Sequence, residues 1–226
     1  MRVLALDTST EYCSVALWQD GAVMGRCELA GQRHSEILIG MLDALLKHAG
    51  IRINQVDGIA FGKGPGSFTG VRIACGAAQG LALGANVPVA GVCTLEALAE
   101  ASGSSRVIAA LDARMGEVYL AAYLKQNDVW AAVIDPCLCK PEDAPPVPGG
   151  GWFGVGSGFA GHGAALQARY DGQLQGVDGA AVPQAAAIAV LGAAQLKSGL
   201  GVDAAEALPL YLRDKVALKT SERAKG

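Results

Sequence analysis

An apolar run closed by an acid occurs twice in this chain of 226 residues, about 105 positions apart: Val3–Asp7 and Val107–Asp112. Each run is followed by a second apolar stretch, a short polar turn and a third stretch. The first set passes through Cys13–Trp18, turns at Asp20-Gly21 and resumes over Ala22–Leu29. The second passes through Glu117–Leu124, turns at Gln126–Asp128 and resumes over Val129–Asp135. Asp-Gly between two apolar runs is a strong hairpin signal. A single run ending in an acid arises easily by chance; a run, a hairpin and its turn in the same order point to duplication. The expectation is a duplicated, two-lobed α/β chain, each lobe built as βββαβαβα.

In the first half, a helix over Ser35–Ala49 ends at Gly50, placed as the left-handed residue that stops it. Val56–Phe61 reads as a short buried strand, Thr69–Gly84 as a helix and Val87–Val92 as a strand. Thr94 is expected to cap a further helix reaching about Ala101. Ser102–Ser105 reads as a linker, which sets the lobes at residues 1–104 and 105–226. In the second half Pro141–Pro148 is a loop, Gly151–Val155 a strand, and helices cover about 158–169 and 183–198. A basic tail with Lys215, Lys219, Arg223 and Lys225 is expected to be solvated.

Composition narrows the function. With 51% hydrophobic and 17% charged residues, intrinsic disorder is excluded. A net charge of −3 argues against autonomous binding of tRNA or DNA, which needs clustered Lys and Arg, though RNA remains open as the substrate of a larger complex. Aromatics at 5% also argue against stacking platforms for bases. Of six cysteines only Cys137 and Cys139 are close, with no second pair or nearby His to complete a zinc site. They read as reduced thiols of a cytoplasmic protein. The acid at Asp7 leaves no apolar leader, and Ile73–Leu95, although uncharged, is broken by Gly76, Gln79, Gly80, Asn86 and Pro88. No membrane association is expected.

Two loops carry candidate chemistry. Asp7, Thr8, Ser9 and Thr10 close the first strand, where a carboxylate and hydroxyls suit a metal-bound phosphate. The competing reading is a turn that satisfies its own backbone. The segment Gly62–Gly70, GKGPGSFTG, joins a strand to a helix, so Ser67 or Thr69 is placed to cap it and leave an anion-binding start. Lys63 precedes the glycines, so this is not a Walker loop, nor is it a dinucleotide fingerprint. Four glycines in nine residues imply close approach by a ligand or a partner backbone. Asp7, Thr8, Ser9, Thr10, Gly64, Gly66 and Ser67 therefore form the candidate phosphate- or nucleotide-binding set.

The two first-lobe helices carry more apolar and small surface than one sheet can use. Leu38, Leu42, Leu45 and Ala49 form a stripe for the sheet, leaving Ile37, Met41 and Ala44 without a partner. On the next helix Gly76, Gly80 and Gly84 recur every fourth residue, beside Ala77 and Ala78. Glycine costs about 1 kcal/mol relative to Ala in a helix interior, so three on one face require a reason. Packing inside the lobe is one; close approach of a second subunit's helices is the other. Ile37, Met41, Ala44, Ile73, Gly76, Ala77, Gly80 and Gly84 are the candidate interface.

Other chemistries lack their residues. His34, His48 and His162 form neither HxxxH nor HExxH, so no helical metal pair is expected and no metal site is assigned. A Ser-His-Asp hydrolase would need GxSxG, and a ribonuclease H-like nuclease would need more converging acids than Asp7.

Taken together, Leu4–Thr10 with Ser14–Leu17, His34–Glu36, Gly64–Ile73, Asp112–Arg114 with Glu117–Tyr119, and Pro209–Arg213 resemble the TsaB (YeaZ) family across the whole chain. That family is the dimerisation subunit of the bacterial machinery making threonylcarbamoyladenosine at position 37 of tRNA. The resemblance implies an actin/Hsp70/sugar-kinase-like (ribonuclease H-like) fold. It implies a non-catalytic scaffold, a pseudoenzyme whose first-lobe helices pack on a catalytic, metal-binding paralogue of TsaD type. A small ATPase subunit of TsaE type joins, homodimers form when the chain is alone, and tRNA is met only through the complex. In the paralogue an HxxxH pair binds metal; here Leu38 stands four residues after His34. In kinase-like relatives each lobe supplies an acid-and-hydroxyl loop, yet Asp112–Met115 lacks the glycine and hydroxyl of the second. No cofactor is required by this chain, with ATP or ADP placed at the lobe cleft or a subunit interface. The rival readings are a small-molecule kinase or ATPase of the same fold and a peptidase acting on the paralogue.

Overall fold

The computed structural model describes residues 1–213, so the basic tail at Lys215, Lys219, Arg223 and Lys225 lies outside the described residues. The first half contributes β1 (Arg2–Asp7), β2 (Tyr12–Gln19), β3 (Ala22–Leu29), α1 (His34–His48), β4 (Gly58–Gly64), α2 (Phe68–Ala85), β5 (Val89–Cys93) and α3 (Thr94–Ala101). The second contributes β6 (Arg106–Asp112), β7 (Val118–Gln126), β8 (Val129–Cys139), β9 (Trp152–Val155), α4 (Ser157–Arg169), β10 (Leu174–Asp178) and α5 (Ala185–Lys197).

The duplication is written in the sheets. The first runs β3-β2-β1-β4-β5 and the second β8-β7-β6-β9-β10, the same order. In both, the first two pairings are antiparallel and the other two parallel. The hairpin turns follow their chemistry: Asp20 and Gly21 have φ of 49° and 99°, and Asn127 and Asp128 have 50° and 61°, the positive angles a two-residue turn demands. The halves differ in one element. Between β8 and β9 a proline-rich loop with a single 3-10 turn, Pro141–Asp143, stands where the first half has α1.

Alternation along the strands builds the layers. Leu4, Leu6, Val15 and Leu17 face α1 and α2, meeting Leu38, Met41, Leu42, Leu45, Ala74 and Ala78. Val3, Ala5, Ala16, Ala60 and Ala90 face the other way and meet α5. On the second sheet Val107, Ala109 and Leu111 receive α3, while Ile108 and Ala110 face Phe159 and Leu166 of α4. The layers run α1 with α2, first sheet, α5 with α3, second sheet, α4.

Two helices are thereby exchanged: α3 from the first half packs on the second sheet, and α5 from the second half packs on the first. The bridge between Val89 and Val202 likewise brings the chain beyond α5 back to the first sheet. The sheets divide between β5 and β6, while α5 packs on the first sheet. The alanine-rich composition explains the exchange, since small side chains on both surfaces let α5 lie close to the sheet. Thr94 corrects an expectation: it is the first helical residue, Cys93 being the N-cap, and its hydroxyl donates to Pro65 O at 2.5 Å.

Gly192 of α5 sits directly on Ala60, where an added Cβ would collide with the alanine methyl. Gly192→Val is expected to lower stability by ~1–3 kcal/mol, read as an earlier urea midpoint, because overpacking here has no space to relax.

Candidate functional site

The turn after β1 and the glycine segment before α2 are locked to each other. Ser67 N donates to Ser9 O at 2.7 Å, and Thr8 Oγ1 donates to Gly70 O at 2.7 Å. A Cβ on Gly66 or Gly70 would strike the backbone of Ser9 or Thr8, and one on Gly62 would strike the Asp7 carboxylate. The glycines thus permit close approach, but the approaching backbone is the chain's own. Gly64 adopts φ +103°, a region that favours glycine, where the segment meets Leu210. Ser67 is the N-cap of α2, its Oγ accepting from Gly70 N at 3.4 Å.

This lock decides where the candidate phosphate residues point. Asp7 is buried, its Oδ2 accepting from Ser9 N at 3.2 Å and Ser9 Oγ at 2.9 Å. Its Oδ1 has no hydrogen-bond partner among the described residues. Burial pushes the carboxyl up to about 7, against the lowering effect of the bonds from Ser9 and Thr8. Asp7, Thr8 and Gly64 lie outside the inter-lobe cleft; Ser9, Thr10, Gly66 and Ser67 line it. Thr10 is half-buried, and its carbonyl is paired with His34 Nε2 at 2.8 Å.

Across a cleft of about 1400 Å³ stands the equivalent turn of the second half. Asp112 is 28% exposed and more open than Asp7. Its Oδ1 accepts from Arg114 N at 2.9 Å and lies 3.5 Å from His162 Nε2, while Arg114 Nη1 is 3.4 Å from Oδ2. Arg114, Met115 and Gly116 all have positive φ, at 64°, 56° and 75°, so the turn is strained at two side-chain-bearing residues. Ser157 Oγ accepts from Asp112 N at 3.1 Å, and among the described residues no hydrogen bond joins it to His162. The strap before residue 213 closes one side: Leu210 N donates to Lys63 O at 2.7 Å, and Arg213 reaches Glu117 at 2.8 Å and Ala113 O at 3.1 Å. Arg72 stacks on Phe68 and Tyr211 at the rim.

The second candidate surface is the outward face of α1 and α2. Gly76, Gly80 and Gly84 are exposed, and an added Cβ at each would meet nothing within 4 Å. They do not serve packing inside the lobe. Ile37, Ile73 and Ala77 are half-buried at the margins of the core, and Ala44 is half-buried. Met41 is a correction: only 6% exposed, it lies in the core beside Leu38, Leu42 and Leu45, because the buried stripe of α1 is wider than the sequence reading allowed. The apolar residue that turns outward is Ile39, 56% exposed, next to Gly40. On α2 Leu83 is 78% exposed, and Phe68 at its start is 49% exposed. Leu83 follows Gly76 and Gly80 at helical spacing, a signal present in the sequence.

Over residues 26–220 the chain matches the family described as TsaD: tRNA N6-adenosine threonylcarbamoyltransferase. It is 40% identical to the tRNA threonylcarbamoyladenosine biosynthesis protein TsaB of Escherichia coli K12, over 97% of each chain. The Haemophilus influenzae protein of the same name is 39% identical, over 97% of this chain and 96% of its own length. YeaZ from Pseudomonas aeruginosa superposes with a TM-score of 0.84 at 39% identity, covering 93% of this chain and 99% of that one. The chain belongs to the TsaB (YeaZ) family. A further structure, described as an uncharacterized protein with similarity to peptidase YEAZ from Pseudomonas aeruginosa, gives a TM-score of 0.86 at 40% identity, covering 94% of this chain and 99% of that chain. In this TsaB-family chain, among the described residues, no helix is long and apolar enough to cross a membrane; the uncharged run Ile73–Leu95 is the end of α2, β5 and the start of α3.

Asp7 makes stability depend on pH. The folded state keeps a proton on a carboxyl whose ordinary value is 3.8 and which burial raises to about 7. Its contribution is therefore full below about pH 4 and falls as pH rises to about 7. Asp7→Asn is expected to remove this slope, leaving the variant more stable than the native chain at pH 8 and similar to it at pH 4.5. Urea unfolding at the two pH values checks it.

Proposed function

We propose that this chain is a non-catalytic partner subunit required for N6-threonylcarbamoylation of adenosine 37 in tRNA, acting by heterodimerising with a metal-binding paralogue of TsaD type. The observation that carries this reading is the open glycine face of α2. Three glycines in one helix cost about 1 kcal/mol each, and nothing inside the lobe uses the space they leave. Leu83 continues that face at helical spacing and Ile39 is exposed on α1, both available as apolar anchors of a helix–helix contact. The names of the TsaB relatives supply the pathway.

The site chemistry supports a scaffold over a kinase. Thr8 and Ser9 spend their hydroxyls on Gly70 O and Asp7, and the second turn offers Ala113, Arg114 and Met115 where a hydroxyl and glycine would hold a phosphate. In this reading any ATP or ADP sits at the cleft or a subunit boundary as a guest of the complex, and a TsaE-type ATPase supplies turnover. The same glycine face pairs two copies when the chain is alone. With a net charge of −3 the chain meets tRNA only through its partners, in the cytoplasm.

Two substitutions separate folding from assembly. Gly76→Ala is expected to stabilise the isolated monomer by ~1 kcal/mol, since helix propensity improves and the Cβ enters open space. Gly80→Leu should leave the monomer folded but abolish pairing with the TsaD-type subunit, measured by calorimetry and gel filtration. Wild-type affinity in Gly80→Leu would refute the interface.

A further inference from the structure

The second half lacks a counterpart of α1, and beneath the loop that replaces it lie two thiols. Cys137 and Cys139 are two residues apart on β8, so both project from one face of the strand, opposite Leu120 and Val118. That face belongs to the core containing Leu166 and Tyr170. Both cysteines are half-buried and reduced. Cys137 Sγ makes a weak bond to Leu120 O at 3.5 Å.

We propose that Cys137 and Cys139 form a two-coordinate thiolate site for a soft monovalent cation, copper(I) being the biological example. The alternatives fail on geometry and ligand count. Residues two apart on a strand are separated by ~6.6 Å along the backbone with parallel side chains. A disulfide needs its Cβ atoms within ~4.5 Å, so closing one would bend β8. An ion bound at ~2.3 Å from each sulfur spans up to ~4.6 Å between them and leaves the strand in place. Tetrahedral zinc needs four ligands, whereas among the described residues no group of three or more His, Cys, Asp or Glu could hold a metal. Two soft thiolates without further ligands suit copper(I).

Binding exchanges thiol protons for the ion: two thiols release two H⁺ and hold one copper(I) as a sulfur–metal–sulfur bridge of one negative charge.

The test is an anaerobic titration of the reduced full chain with copper(I) against a chromophoric copper(I) chelator. The expected result is one equivalent bound, lost in Cys137→Ser and in Cys139→Ser, and retained in Cys27→Ser, which removes an exposed thiol elsewhere. In the wild-type chain, bound copper(I) should also protect Cys137 and Cys139 from alkylation, read by peptide mass. No uptake by the wild-type chain, uptake surviving the double serine variant, or equal retention of zinc would overturn the site. Ready closure of a Cys137–Cys139 disulfide by peroxide would overturn the strand-geometry argument behind it.

Discussion

The lock between residues 7–9 and residues 62–70 fixes the rest of the first half. Two hydrogen bonds of 2.7 Å, from Ser67 N to Ser9 O and from Thr8 to Gly70 O, tie the end of β1 to the first turn of α2. Glycine at 62, 66 and 70 is what lets the two backbones meet. Once α2 starts there, Ala74, Cys75, Ala78 and Ala82 must face the sheet, and Gly76, Gly80 and Gly84 must face out. The apparent ligand-binding loop and the exposed glycine face are therefore consequences of one constraint. The Thr8 hydroxyl, which resembles a phosphate ligand, is already used to hold α2 in register, and that of Ser9 is spent on Asp7.

The exchange of α3 and α5 gives the two halves a common middle layer. Each sheet is covered on one side by its own helices and on the other by a helix from the opposite half. Small residues make this possible: Ala5, Ala16, Ala60 and Ala90 meet Ala185, Ala189 and Ala193. The halves have diverged at the cleft and at the outer face. Asp7 is sealed while Asp112 is partly open, and the outer helix α1 has a proline-rich loop as its counterpart.

Local chemistry was legible in the sequence wherever a local rule governs. The two hairpins, the stop at Gly50 and a cap at Ser67 or Thr69 are decided by a few adjacent residues; the turns and the stop are found, and of the two hydroxyls Ser67 is the cap. The duplication was legible because runs ending at Asp7 and Asp112 precede matching hairpins. What was not legible depends on distant contacts. β10 carries Gln175 and Gly176 in a partly exposed edge strand, without the apolar run that marks a strand. The return of α5 to the first sheet is invisible to periodicity, because the helix is apolar on nearly every side. Met41 was misplaced because spacing gives a stripe but not its width. Asp7 looked like a ligand because nothing in its neighbourhood announces that Gly62 and Ile188 will close over it.

The direct measurement is threonylcarbamoyladenosine formation on unmodified tRNA in a reconstituted system, with this chain present, omitted, or as the sole protein. A partner subunit predicts product only when the chain joins the catalytic paralogue, and none from the chain alone. Product from the chain alone, or undiminished product without it, would contradict the account.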